Sequence, residues 1–211
     1  MLTKEKINSN FLLFQKKLET YGCFSEEMMN DLGEKIKNAP YSMSYEYGGC
    51  YDGALVDVTL RVLCNIAYQI NEFAFGKAGN ADGNYKHPFL AVNPNKLMKV
   101  LLLLNIAKAV MFVEEKEDWK IKRGQLYKFE DFETTLKLGA RTLFLCQKYG
   151  IVLEEDEYEA ILSIDDAEDN GARFRTPLYT LVKAAKLFAM VEIRQDWLNR
   201  NKKPNTAIEE I

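Results

Sequence analysis

The sequence predicts an all-α protein, and three observations carry that prediction. Alternating apolar and polar runs bounded by turns, the mark of half-buried strands, hardly occur. Apolar residues recur instead at helical spacing through most of the chain. Helix punctuation stands at the ends of these runs: Ser25 with Glu27 close behind, Asn93-Pro94 and Thr176-Pro177 at starts, Tyr149-Gly150 at a stop.

The elements follow in order. Segment 3–20 gathers Ile7, Phe11, Leu12, Phe14 and Leu18 on one side. Segment 25–38 carries Met28, Met29, Leu32 and Ile36 and is stopped by Asn38-Ala39-Pro40, because the residue before a proline is pushed out of the helical region. Residues 40–53 read as a loop, rich in Tyr (Tyr41, Tyr45, Tyr47, Tyr51) and Gly. A long helix is predicted over 54–75, then a Gly/Asn/Asp-rich loop over 76–84. The helix predicted over 94–112 is apolar nearly all round, from Leu97 through Val113, which places it at the centre of the fold. Residues 114–128 are charged, with Trp119, Ile121 and Leu126 interspersed. Further helices are predicted over 130–149, 154–162 and 176–198, with an acidic loop over 165–174 and a polar tail over 199–211. No internal repeat, low-complexity tract or clear linker interrupts the chain. We therefore expect one domain: N-terminal helices 1–38 packing on a core of 39–198, then the tail.

Composition narrows the function classes. With 211 residues, 47% hydrophobic, the chain can bury a real core. The net charge of −3 gives no basic excess, so wrapping an extended nucleic acid is not expected; a local cluster still suffices for a small anion. Cys23, Cys50, Cys64 and Cys146 are scattered without a CxxC pair, which points to reduced, buried thiols. The longest apolar run, Val100 to Leu104, is too short to span a bilayer, and the first residues lack a signal-peptide pattern. The expected setting is the cytoplasm. His87, in the polar stretch 84–88, is the sole histidine. A His-rich metal site is therefore excluded whatever the fold.

From residue 39 onward the pattern becomes specific. Ala39-Pro40-Tyr41-Ser42, followed by Gly53-Ala54-Leu55-Val56-Asp57-Val58-Thr59-Leu60-Arg61-Val62, resembles the "aPaS" loop and "GGLveHslrV" helix start of HD-domain phosphohydrolases from phages and mobile elements. Four more segments resemble that family in the same order. Leu103 to Lys108 is similar to its "LHDLCK", and Leu138 to Thr142 to its "HGekS". Glu157 to Ile164 is similar to its "eEyeAIrwH", and Pro177 to Lys186 to its "PLalllhaAD". The resemblance covers roughly 39–190. It implies an HD-domain-like helical bundle with a central buried helix.

In that family the His and Asp of these motifs hold metal ions. The matching positions here are Val58, Leu104, Asn105, Leu138, Ile164 and Lys186. Aliphatic carbons donate no lone pair, and a lysine ammonium repels a cation. Without a metal there is no Lewis acid and no activated water. The resemblance therefore implies a non-catalytic relative with no metal and no cofactor.

Some polar positions are retained or replaced in kind. Arg61 and Lys108 match the family's own Arg and Lys near the metal centre; either they face a pocket and bind an anion, or they pair with a carboxylate such as Asp57. Asn105 and Lys186 stand at ligand positions; Lys186 either holds a phosphate or is neutralised by Asp165 or Asp166. The four tyrosines of the 40–53 loop either stack bases or pack over the core. The acidic 165–169 stretch either takes a magnesium ion or is merely solvated. A nucleophilic Cys64 or Cys146 would need His87 as its partner.

Three functions follow. The first is binding or sequestering a nucleotide or small phosphorylated molecule through Arg61, Lys108, Lys186, Asn105 and Asp57. The second is a structural or protein-interaction module with a filled relic pocket. The third is a phosphohydrolase with a displaced metal site. No membrane partner is expected.

Overall fold

The computed structural model describes residues 2–75, 92–165 and 176–200. The 76–84 loop, His87, the acidic stretch from 166 to 174 and the tail beyond 200 lie outside the described residues. The described chain is mostly helical, as the periodicity requires.

Helix α1 (Lys4–Thr20) opens on Thr3, whose side chain accepts from the Lys6 amide, and α2 (Glu26–Asn38) on Ser25, which accepts from Met28. Each cap satisfies one of the orphan amides of a first turn. The stop at Pro40 is observed. Helix α3 (Ala54–Phe75) buries Leu55, Val56, Val58, Leu60, Leu63 and Ile66 and packs against α1, α2, α4 and α9.

The predicted 94–112 helix is corrected in two respects. It is divided into α4 (Pro94–Leu103) and the single turn α5 (Lys108–Met111). Between them the amides of Ile106, Lys108 and Ala109 bond to carbonyls three residues back, a tighter 3-10 pattern. The Leu104 carbonyl accepts from Thr142 Oγ1 at 3.4 Å instead. Helix α4 is also not apolar all round. Leu97, Met98 and Val100 to Leu103 are buried, but Lys96 pairs with Glu154 and Asp156, and Lys99 with the buried Glu157 at 2.8 Å. Its central place stands: it touches α1, α3, α8 and α9.

The charged stretch after α5 holds what the sequence did not announce. Strands β1 (Phe112–Glu114) and β2 (Tyr127–Phe129) form an antiparallel ribbon, with Phe112 opposite Phe129 and Val113 opposite Lys128, around the short helix α6 (Asp118–Lys122). Strands of three residues are too short to show a period of two. The predicted 130–149 helix starts late, as α7 (Leu138–Lys148). Helix α8 (Glu155–Leu162) begins with a reciprocal capping box between Glu154 and Glu157. Helix α9 (Pro177–Arg200) begins after Thr176, whose hydroxyl accepts from the Tyr179 amide.

One apolar cluster runs from Phe14 through α3, α4, α7 and α8 to Ile193. No described helix is long and apolar enough to cross a membrane.

Candidate functional site

The sequence-derived candidates divide into two groups in space. Asp57 is buried in α3 and serves as a hub. Its carboxylate accepts from Asn10 Nδ2 of α1 at 3.0 Å and from the Tyr51 hydroxyl at 2.8 Å, and pairs with Arg61 at 2.8 Å, one helical turn on. Arg61 also stands 3.9 Å from Glu192 of α9. For Arg61 and Asp57 the ion-pair reading therefore holds. Their charges are committed to each other and to tying α1, α3 and the tyrosine loop together.

Lys108 and Lys186 belong to the second group. The ammonium of Lys108 donates to the Tyr41 carbonyl at 2.9 Å and lies 3.5 Å from the Tyr41 ring centroid. Lys186 donates to the Ile164 carbonyl at 3.2 Å. Both line a groove of about 660 Å³ between the tyrosine loop and α9. Arg194, which the sequence reading did not single out, lines it too and donates to the Glu46 carbonyl at 2.6 Å.

The loop's course explains this wall. Tyr41 and Ser42 donate their amides to the Gly49 carbonyl, closing the loop on itself. Gly48 and Gly49 sit at φ of 71° and 67°, open to glycine at no steric cost. A Cβ at Gly48 would meet Ile193 Cγ2 of α9 at 2.3 Å, so the glycine lets the loop lie directly on that helix. The tyrosines divide between core and surface. Tyr41 and Tyr51 pack inward, while Tyr47, 67% exposed, stands at the groove's rim.

Asn105 lies buried in the turn between α4 and α5, against the Tyr41 phenol. Its Oδ1 has no hydrogen-bond partner among the described residues. Burial pushes the Tyr41 phenol up to about 12, partly offset by the Asn105 hydrogen bond.

The six positions that the resemblance equates with metal ligands do not fit a metal. Val58, Leu104 and Ile164 are buried aliphatics, Leu138 is half-buried at the start of α7, Asn105 offers a single amide, and Lys186 is a cation. One contact joins two of them, from the Lys186 ammonium to the Ile164 carbonyl, and Leu104 is tied to α7 through Thr142. Among the described residues, no group of three or more His, Cys, Asp or Glu could hold a metal ion. Of the two cysteines considered as nucleophiles, Cys146 is buried and Cys64 exposed, and His87 lies outside the described residues. Burial pushes the Cys146 thiol from 9.0 up to about 12, far from the thiolate a nucleophile requires.

A second groove, about 670 Å³, opens on the other side of Lys108 between the β1–β2 ribbon and α7. At its inner end is Arg141, 7% exposed. The sequence did carry a signal for it. Residues 138, 141, 142, 145 and 146 form the inward stripe of α7, and a cation on such a stripe calls for a partner.

No family model, curated protein or solved structure matches this chain.

Proposed function

We propose that this chain is a non-catalytic protein on an HD-like scaffold that binds a nucleotide or small phosphorylated molecule between the tyrosine loop and α9. The supporting observation is the lining of that groove. Lys108, Lys186 and Arg194 contribute three cations, and among the described residues none that lines the groove is a carboxylate. Such a wall suits a phosphate, whose oxygens gain charge-assisted hydrogen bonds from ammonium and guanidinium groups. The exposed ring of Tyr47 at the rim offers a face on which a base can stack. The absence of catalysis rests on the ligand positions: buried aliphatics and a lysine give neither a Lewis acid nor an activated water.

A thermal-shift panel of mono-, di- and cyclic nucleotides tests this reading, because a ligand that binds only the folded state raises the melting temperature by mass action. At least one nucleotide should raise Tm saturably. Lys108→Gln or Lys186→Gln should weaken it about tenfold, on the order of 1.4 kcal/mol. A flat panel would sink the proposal, as would manganese-dependent phosphatase turnover that Lys186→Ala abolishes.

One observation favours a second reading, a protein-interaction module. Leu187, Phe188, Met190 and Val191 on α9 are each more than half exposed, an apolar face of the kind that marks interaction surfaces. A flat nucleotide panel together with concentration-dependent self-association that Val191→Asp removes would favour it.

A further inference from the structure

Arg141 is a buried cation that makes no ion pair among the described residues. Its Nη2 donates to the Thr134 carbonyl at 3.1 Å and grazes the Thr134 hydroxyl at 3.4 Å. Its guanidinium lies 3.6 Å from the Phe132 ring centroid. Among the described residues its buried Nε has no acceptor and no carboxylate comes within ion-pair distance. A buried charge is retained at a cost unless it is paired and hydrogen-bonded. A neutral carbonyl and a ring face offset only part of that cost.

The surroundings of Arg141 point to what would complete it. The groove it lines is also bounded by Lys137 and Leu138, the start of α7, a helix with no side-chain cap at its N-terminus. The positive end of the helix dipole therefore adds to the guanidinium field. Glu130 and Asp131 also line the groove, but both are exposed, and Asp131 stands 3.9 Å from Lys128. The acids thus stand in solvent and the guanidinium inside. The wall beside Arg141 is aromatic: Phe112 and Phe129 form a tilted pair with centroids 5.5 Å apart. The half-exposed ring of Phe129 has a face left over for a ligand.

We infer that this groove is a second ligand site, which takes a small aryl oxyanion: a carboxylate or phosphate monoester at Arg141, with its ring against Phe112 and Phe129. The site is separate from the groove facing α9, although Lys108 borders both.

The test uses the full chain in phosphate-free, low-salt buffer, with phenyl phosphate, benzoate and neutral benzyl alcohol as probes. Phenyl phosphate or benzoate should raise Tm saturably at roughly 10 mM, and benzyl alcohol should not. Whichever of the two anions binds identifies the head group. Arg141→Met should abolish the shift while leaving the unliganded Tm unchanged or higher, since a hydrophobe replaces an unbalanced buried charge. A structural arginine would instead lower that Tm. Phe129→Ala, a surface change that keeps the fold, should weaken binding roughly fivefold or more. Lys186→Gln, confined to the other groove, should leave binding intact, so failure here is distinguishable from failure of the nucleotide proposal. A flat response to both anions overturns the inference. So does a shift that survives Arg141→Met and Phe129→Ala, or one that Lys186→Gln removes.

Discussion

At the residue scale, Asp57 shows how one carboxylate can be read two ways until its neighbours are known. By sequence it stands one turn before Arg61, and the pair looks like surface decoration. In the fold it is 6% exposed and accepts from Asn10, Tyr51 and Arg61, residues brought from α1, the tyrosine loop and α3. Removing it leaves an amide, a phenol and a guanidinium without their acceptor. Asp57→Ala should therefore cost about 3 kcal/mol, well above a surface pair, read as a lower denaturation midpoint in urea at unchanged slope. A loss below about 1 kcal/mol would show that solvent replaces the hub. The cysteines give a second residue-scale expectation. Cys23, Cys50 and Cys146 are buried and Cys64 is exposed, so a thiol reagent should modify one cysteine in the native protein and all four after unfolding.

At the scale of elements, the break between α4 and α5 and the close contact of α7 with α8 are the instructive cases. Nothing in Leu103-Leu104-Asn105-Ile106-Ala107-Lys108 forbids a helix; no Pro or Gly interrupts it. The turn there goes with partners from afar: Thr142 takes the Leu104 carbonyl, and the Tyr41 carbonyl takes the Lys108 ammonium. This is why a helix legible by periodicity ends nine residues early. Gly139 was legible only as part of a motif. In the structure, a Cβ there would stand 2.4 Å from the Ile161 carbonyl oxygen and 2.8 Å from that of Leu162. Both are backbone atoms of α8 that cannot rotate aside. Gly139→Ala should force α7 away from α8 and cost about 2–3 kcal/mol, checked by the same urea titration. The lateness of α7 has a similar origin. Segment 130–137 carries Phe132 and Thr134, which lie against Arg141 and wall the second groove instead of continuing the helix.

At the scale of the whole molecule, stability should depend on pH in a definite direction on the alkaline side. Burial pushes the thiols of Cys23 and Cys146 from 9.0 up to about 12, with Lys99 opposing; Cys50 goes to about 11 and the Tyr41 phenol to about 12. These groups bind their protons more tightly folded than unfolded. Their contribution is thus complete below pH 9 and is lost as pH rises toward 12. Each thiol should remove on the order of 1 kcal/mol of stability per pH unit in that window. A melting series from pH 7 to 11 checks this: Tm should hold to about pH 9 and then fall, and a flat profile would contradict the burial of the thiols.

The sequence alone determined the fold class, the N-terminal bounds of α1, α2, α4 and α9, the central place of α4, and the impossibility of a His-rich metal site. Each depends on local or countable properties: apolar spacing, caps, prolines and a single histidine. Tertiary structure decided which cations face a groove. Arg61 and Lys108 were equivalent candidates in one dimension. Arg61 meets Asp57 one turn away on its own helix, whereas Lys108 shares a groove with Lys186 and Arg194 only through packing, because that groove is built from segments more than sixty residues apart in the chain. Packing likewise left Arg141 buried with no ion-pair partner among the described residues, a fact that no spacing rule could supply.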